Sequence, residues 1–288
     1  MTTTAAPLLT MQSTRRRAAD RLTTAALVAA GVGVIVPLLA ILLFVFLNGI
    51  PALNMALFTE NPGPTGVAGG GVKNSIVGSA VLIGLALAIG LPFAIATGIF
   101  LSEYARQGRL GFTIRFLLDV LAGVPSITIG VFVYTAVVLQ VGHFSAFAGG
   151  IALALILLPV VARVTEEMLL LVPQSTREAA YALGVPKWRT VTGVVLPAAA
   201  SGIATGVILA AARIAGEAAP LLFTALGNNF FSTAVTRPID ALPLRIFTYA
   251  TGPFPYQHDQ AWAGSLVLVA LVLVLSIGVR ALLARRRM

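Results

Sequence analysis

Long apolar runs are the feature of this sequence that most restricts its fold. A helix needs about 20 predominantly apolar residues to cross a bilayer, and the chain contains six runs of at least that order. Only 10% of its 288 residues are charged, whereas soluble domains carry about 25%. We therefore expect an all-α membrane protein with six transmembrane helices, at 25–47, 76–101, 112–140, 146–170, 192–226 and 262–283.

The distribution of basic residues predicts the orientation of these spans. Cytoplasmic loops of membrane proteins carry an excess of Lys and Arg, and fourteen of the nineteen basic residues fall on one side. Both termini are therefore expected to be cytoplasmic. The fourteen are Arg15, Arg16, Arg17, Arg21, Arg106, Arg109, Arg115, Arg177, Lys187, Arg189, Arg280, Arg285, Arg286 and Arg287, and the three on the opposite side are Lys73, Arg237 and Arg245.

A Gly- and Pro-rich outer stretch, 48–73, separates the first span from the rest. We expect residues 1–72 to form a cytoplasmic tail, one span and an external loop, residues 73–283 to form the main membrane domain, and residues 284–288 to form a basic cytoplasmic tail. The outer segment 227–261 is partly aromatic. Its aromatics suit either an interfacial belt or a docking surface for an external partner.

Two of the apolar runs are interrupted. Ala122 to Ser126 break the third run with the sequence Ala-Gly-Val-Pro-Ser, and Pro220 breaks the fifth. Irregular backbone at membrane depth is tolerated where it is buried in protein or lines a watery cavity. A simple proline kink would also explain either interruption.

Apart from Arg115 and Arg280 near the cytoplasmic ends of their spans, two arginines, Arg163 and Arg213, fall inside the predicted spans. Charged residues at membrane depth usually face the bundle interior or a water-filled cavity. In an unbroken helix Arg213 and Glu217 share one face, and Arg163 is followed by Glu166 and Glu167. The face of Arg213 also carries small residues that would let a neighbouring helix approach closely, namely Gly202, Gly206 and Ala210.

The side chain of arginine suits recognition of a tetrahedral oxyanion, because its planar fork can donate two parallel hydrogen bonds. A glutamate beside it would position the guanidinium and partly neutralise it, so that an anion could bind and leave again. Arg213, Glu217 and Arg163 are therefore candidates for a substrate pathway. The alternative is that each charged group forms an ion pair that fixes the helix register without contacting a substrate.

A polar segment between the fourth and fifth spans carries the sequence Glu-Ala-Ala-Tyr-Ala-Leu-Gly at residues 178–184, and Leu196-Pro197 opens the next apolar run. We expect a short helix on the membrane surface, although an ordinary amphipathic connector is the alternative. The spacing resembles the EAA loop of binding-protein-dependent ABC importer permeases, with Val194 where isoleucine is usual. This resemblance implies that Glu178, Ala179, Ala180 and Gly184 contact an ATPase.

Three further segments resemble those of the phosphate-import permeases. They are Arg213–Phe223, which contains Arg-Ile-Ala-Gly-Glu-Ala-Ala-Pro-Leu, Arg163–Glu167 and Gly123–Ile127. The segments around 228–230 and 241–249 resemble the PstA branch of that family more than the PstC branch, and the likeness covers about residues 70–283. One departure is Ala218, where the family usually has threonine. If that hydroxyl orients the glutamate or the anion, the affinity here would differ.

The resemblance implies a type I ABC importer permease fold, with residues 73–283 as the permease domain. It implies a transport subunit in the cytoplasmic membrane that carries inorganic phosphate, with a PstC-like permease, two PstB-like ATPase subunits and an external PstS-like binding protein as partners. The chain itself contains no phosphate-binding Gly-x-x-x-x-Gly-Lys loop, so ATP hydrolysis is expected on a separate subunit. We expect no enzyme activity, cofactor or metal site.

Two other functions remain open at this point. The substrate could be another oxyanion, such as sulfate or molybdate, which arginines alone would also bind. The chain could instead be a membrane enzyme that acts on a lipid phosphate, although this alternative leaves the EAA spacing unexplained.

Overall fold

A computed structural model describes residues 14–285 of the chain. The ends of both predicted basic tails lie outside the described residues, as do several basic side chains used to predict the orientation, namely those of Arg15, Arg17, Arg280, Arg285, Arg286 and Arg287. Residues 14–285 are mostly helical and contain no β-strand beyond isolated bridges. The chain divides into two compact units, 1–47 and 48–288, which are described separately.

The first unit is dominated by helix α1, Thr14–Gly49, whose last residues extend into the second unit. Its apolar stretch begins at Ala19 and is long enough to cross a membrane. A helix that is apolar on all sides is stable when lipid or other protein surrounds it. The first predicted span is therefore confirmed as a candidate membrane helix.

The second unit is a bundle of long helices joined by short ones. Its helices are α2 (Met55–Thr59), α3 (Lys73–Ile99), α4 (Arg109–Gly123), α5 (Ser126–Val133), α6 (Leu139–Val141), α7 (Ala146–Leu170), α8 (Gln174–Ala182), α9 (Lys187–Thr190), α10 (Leu196–Ala215), α11 (Ala219–Leu222), α12 (Leu242–Ala250) and α13 (Pro255–Arg285). A 3₁₀ turn, Ile50–Ala52, precedes α2, and π-helical turns follow α3, α5 and α9 at Phe100–Tyr104, Tyr134–Val138 and Val191–Val195.

The number of candidate spans agrees with the six predicted if one bent pair of helices is counted as a single span. Five described helical stretches are long and apolar enough to cross a membrane, and α4 with the helix starting at α5 forms a sixth that is bent by 101°. The bend lies at Val124 and Pro125, within the predicted interruption. Val124 adopts an extended conformation, because a residue before proline is sterically pushed out of the helical region. The interruption is therefore a sharp break.

The predicted extent of the fifth span, 192–226, is wrong at its outer end. Helix α10 ends at Ala215, and Gly216 caps it. Pro220 does not interrupt a long helix, because it occupies the first turn of the short helix α11, where its missing N–H costs no hydrogen bond.

Helix α7 forms the centre of the bundle and packs closely against α3. A Cβ atom added at Gly90 would lie 3.0 Å from Cδ2 of Leu157, and one added at Gly98 would lie 2.5 Å from Cβ of Thr165. Glycine at these positions therefore lets the two helix backbones approach. Close approach matters in lipid, where van der Waals contact replaces the hydrophobic effect as the force that joins helices.

Helix α10 packs against α7 through the small residues noted in the sequence. A Cβ atom added at Gly202 would overlap the side chain of Met168, and one added at Gly206 would overlap that of Val164. Ala210, one turn further, is buried. The prediction that this face meets a neighbouring helix is confirmed.

The contact of α3 with α7 leads to a stability prediction. We expect Gly98→Ala to destabilise the protein by about 1–3 kcal/mol, the usual effect of overpacking. Gly84→Ala on the same helix is the control, because nothing lies within 4 Å of its added Cβ. It should be neutral or stabilising by up to about 1 kcal/mol, since alanine favours helix. Thermal unfolding midpoints in detergent measure both effects, and equal midpoints would contradict the packing described here.

Candidate functional site

Contacts along α7 fix the depth of the two broken segments. Helix α4 meets α7 where Arg115 pairs with Glu166, and α10 meets it where Gly206 faces Val164. Helices α4 and α10 both run antiparallel to α7. Residue numbers along each of them therefore rise as the residue numbers of their contacts on α7 fall. This register places the α4–α5 break and the end of α10 near the level of Leu157, in the middle of α7.

The two breaks interrupt helical hydrogen bonding at the same level, and turn bonds satisfy some of the carbonyls there, such as those of Leu121 and Arg213. The last carbonyls of a helix have no partner within the helix, and such groups need protein or water around them at membrane depth. One side of the region is filled by protein, because a Cβ at Gly130 of α5 would lie 2.7 Å from Cα of Pro220 in α11. Gly123 and Pro125 are exposed. The breaks therefore form a polar midpoint in an otherwise apolar bundle.

Arg213 lies in the last turn of α10, at this midpoint, and is exposed. The expected pairing of Arg213 with Glu217 on one helical face is wrong, because the helix ends at Ala215 before it reaches Glu217. Among the ion pairs described for residues 14–285, none joins the two side chains. The cationic group at the carboxyl end of a helix is favoured by the helix dipole.

Arg163 is held by two carboxylates from different helices. It pairs with Asp119 of α4 and lies 3.5 Å from Glu166 of its own helix. The expected neighbour Glu167 is exposed and makes no ion pair in the described part of the chain. Asp119 was not among the predicted site residues, although an acid within a predicted span is itself a signal.

Glu166 is buried and is bound on both sides by arginines. Its Oε1 accepts a hydrogen bond of 2.6 Å from Nε of Arg115, whose Nη2 also donates to the carbonyl of Leu101 at 3.1 Å. We call Arg115, Asp119, Arg163 and Glu166 the charged core cluster. With two arginines and two carboxylates the cluster is neutral overall, and Asp119 is its most exposed member, with 65% of its side chain accessible.

The two carboxylates beside Arg163 differ in how firmly they are held. Glu166 is fixed by Arg115, whereas Asp119 reaches Arg163 from an exposed position. An anion with strong acceptor oxygens can therefore compete with Asp119 for the guanidinium without disturbing the buried pair. Binding that has to displace a carboxylate is weaker, and so more easily reversed, than binding to a free arginine.

The second candidate site is the short helix α8. Glu178, Ala179 and Gly184 are exposed, as expected for a docking surface, whereas Ala180 is buried. We call α8 the docking helix. Exposed apolar and aromatic side chains follow it or lie on it, namely Tyr181, Leu183 and Trp188.

Gly184 ends the docking helix in a left-handed conformation, with φ of +76°. Its N–H donates to the carbonyl of Tyr181 at 2.9 Å, and the N–H of Val185 donates to that of Ala180 at 3.1 Å. This pair of bonds is the Schellman arrangement, for which glycine is preferred. Nothing lies within 4 Å of an added Cβ, so glycine is needed here for the turn and not for close packing within this chain.

Three basic residues prove to be structural; the sequence placed Arg115 just inside the third span and placed Arg177 and Arg245 in loops. Arg115 belongs to the charged core cluster, Arg177 is a buried residue of the docking helix itself, and Arg245 is buried in the outer segment beside Asp240. Burial raises the pKa of Asp240, and the charge of Arg245 opposes that rise. The partners of Arg115 and Arg177 lie 51 and 74 residues away, so no local pattern indicated them, whereas Asp240 precedes Arg245 by only five residues. Within residues 14–285 no cluster of metal-ligating side chains occurs.

The charged core cluster yields a prediction about stability. Arg115→Gln would leave buried Glu166 without its 2.6 Å partner, and breaking a buried pair on one side is strongly destabilising. We expect a loss of about 3 kcal/mol, because Arg163 remains nearby. Arg109→Gln, exposed on the same helix, is the control and should change stability by less than about 0.5 kcal/mol. Equal thermal unfolding midpoints for the two variants would show that Arg115 does not hold Glu166.

Comparisons with known proteins place the chain among transport proteins. The profile of the family described as "Binding-protein-dependent transport system inner membrane component" matches residues 90–288. The chain is 52% identical over 240 residues to the phosphate transport system permease protein PstA of Yersinia pestis, covering 83% of this chain and 81% of that protein. It is 40% identical over 223 residues to PstA 1 of Mycobacterium tuberculosis strain H37Rv, covering 76% and 72%.

The fold is shared with a solved importer. A structure of the MetNI methionine ABC transporter in an inward-facing conformation matches with a TM-score of 0.59 at 20% identity, covering 74% of this chain and 93% of the matched chain. At that identity the likeness concerns the fold alone.

Proposed function

We propose that this chain carries inorganic phosphate across the cytoplasmic membrane. It belongs to the family of binding-protein-dependent transport system inner membrane components and, within that family, to the PstA permeases. It is a multi-pass membrane subunit of an ABC importer, not an enzyme, so the alternative of a lipid-phosphate enzyme is excluded. The substrate is suggested by relatives named as phosphate permeases at up to 52% identity. Sulfate and molybdate remain the competing oxyanions.

The proposed phosphate path runs past Arg213 and Arg163. The observation that carries it is the common level of the two helix breaks with Arg213 exposed at the end of α10. Arg163 offers a second guanidinium that Asp119 partly neutralises. Glu217, which does not pair with Arg213, is proposed to lie beside the path through the turn that follows α10, where its N–H bonds the carbonyl of Ile214.

The proposed assembly contains a second permease of the PstC type, two PstB-type ATPase subunits and an external PstS-type binding protein. Both termini and the docking helix are proposed to be cytoplasmic, because most basic residues lie on that side. We keep residues 1–72, 73–283 and 284–288 as the proposed division into an amino-terminal region, a permease domain and a tail.

Replacement of Arg213 tests the proposed path. We expect Arg213→Gln to abolish phosphate uptake in reconstituted vesicles while the protein stays folded, because the side chain is exposed. Arg213→Lys should restore uptake poorly, since lysine lacks the bidentate fork. Arg237→Gln, exposed in the outer segment, is the control and should transport normally. Normal uptake by Arg213→Gln at normal expression would place the path elsewhere.

Replacement of Gly184 tests the docking helix. A leucine at this positive φ costs about 1–2 kcal/mol and would distort the end of the helix, so we expect Gly184→Leu to insert normally but hydrolyse ATP without transport. Gly184→Asn is the control, because asparagine tolerates the left-handed conformation, and it should keep transport coupled. The measurement is the ratio of phosphate transported to ATP hydrolysed, and an unchanged ratio in Gly184→Leu would refute docking at that residue.

A further inference from the structure

The docking helix is fastened to the bundle mainly through one arginine. A helix of nine residues is not stable by itself, and its buried residues are Arg177 and Ala180. The Arg177 guanidinium donates to Oε1 of Glu103 at 2.7 Å and to the carbonyls of Leu169 and Val172 at 2.8 and 2.5 Å. Its hydrogen-bonding capacity is therefore directed inwards, away from any ATPase.

Glu103 belongs to the π-helical turn that continues α3. Its carboxylate is buried with 5% of the side chain accessible. Lys187 of α9 donates to the Glu103 carbonyl at 2.5 Å, and its ammonium lies 4.6 Å from the ring centroid of Tyr104. Both helices of the cytoplasmic loop therefore hold the same turn. π-helical turns of this kind often occur at functional sites.

The opposite end of α3 is fastened to the outer segment with similar closeness. Ser79 Oγ accepts a hydrogen bond of 2.7 Å from the N–H of Leu242, and Ser75 Oγ donates to the Asp240 carboxylate. A Cβ atom at Gly78 would overlap the carbonyl of Asp240. Asp240 in turn forms a buried ion pair of 2.7 Å with Arg245.

Helix α3 therefore connects two buried ion pairs at opposite ends of the bundle. A buried ion pair is weak evidence for stability, because desolvation offsets much of the attraction. A buried ion pair does hold its two partners in one relative position, since movement of either partner alone leaves a charge unpaired in the interior. Arg177 also donates to the carbonyl of Leu169 in α7, against which α3 is closely packed. A displacement of the docking helix is thus more easily accommodated by moving α3 together with α7 than by breaking the pair of Arg177 with Glu103.

We propose that Arg177 and Glu103 fasten the docking helix to α3, and that α3 transmits movement of the docking helix to the outer segment. The two residues act as positioning residues, because they would contact neither ATP nor the transported anion. This proposal rests on the proposed function, since it needs an ATPase that moves the docking helix. It adds the route along which that movement reaches the opposite side of the membrane.

The absence of cysteine from the sequence permits a direct test. Phe230→Cys places one thiol in the outer segment, at a side chain that is 81% exposed. In the complex purified with its ATPase, we expect trapped nucleotide to change the maleimide labelling rate by about fivefold or more, the lower range of allosteric coupling. With Glu103→Gln added, the change should fall below about twofold while ATP hydrolysis persists.

Two companion variants separate transmission from simple destabilisation. Glu167→Gln removes an exposed acid from the carboxyl end of α7, on the same side of the bundle as Glu103. This variant should leave the nucleotide response intact. Lys187→Met removes an exposed side chain that holds the same turn, and an intermediate response is expected. If Glu103→Gln fails to assemble, the labelling response of Lys187→Met decides whether the turn at Glu103 transmits movement.

The proposal is wrong if the response survives unchanged in both Glu103→Gln and Lys187→Met, or if Phe230→Cys alone shows no response to nucleotide. A purely structural role for Glu103 would lower the unfolding midpoint and leave the response unchanged. Phosphate uptake by the same complex is measured separately. Failure of uptake with an intact labelling response would count against the proposed substrate and not against α3.

Discussion

The close approach of α7 to α3 and α10 is the constraint on which the rest of the structure depends. Helices in lipid gain little from the hydrophobic effect, so van der Waals contact between small residues has to hold them together. Gly98 and Gly206 provide that contact on either side of α7. The fixed register places the breaks in α4–α5 and after α10 at one level, and it brings the charged core cluster together.

The consequence is a polar midpoint that carries Arg213, with the neutral charged core cluster nearer the carboxyl end of α7 and its members unequally exposed. Glu166 is buried and held by Arg115 at 2.6 Å, whereas Asp119 and Arg213 are exposed. A transported anion has to bind and then leave, and a path made of unpaired arginines alone would retain it. Partial neutralisation of Arg163 by an exposed carboxylate, together with an exposed arginine at a helix end, suits transient binding.

Local patterns in the sequence were sufficient for the approximate positions of the candidate spans and for the short helix α8 with its terminal glycine. They also located the interruption at 122–126, without distinguishing a kink from a sharp break. Each depends on residues close in the chain: apolar length, a proline, or glycine at a helix end. The end of α10 was predicted wrongly, because an apolar run continues past Gly216 and composition alone does not show where a helix stops. The partners of Arg163 and Arg177 lie 44 and 74 residues away, so only tertiary packing determines them.

The central claim is that the broken midpoint of this permease conducts phosphate. The most direct measurement is ATP-driven accumulation of labelled phosphate in vesicles containing the complete complex, with sulfate and molybdate as unlabelled competitors. We predict ATP-dependent accumulation that unlabelled phosphate abolishes and that neither competitor reduces at equal concentration. Accumulation of labelled sulfate or molybdate in place of phosphate would contradict the assignment of the substrate.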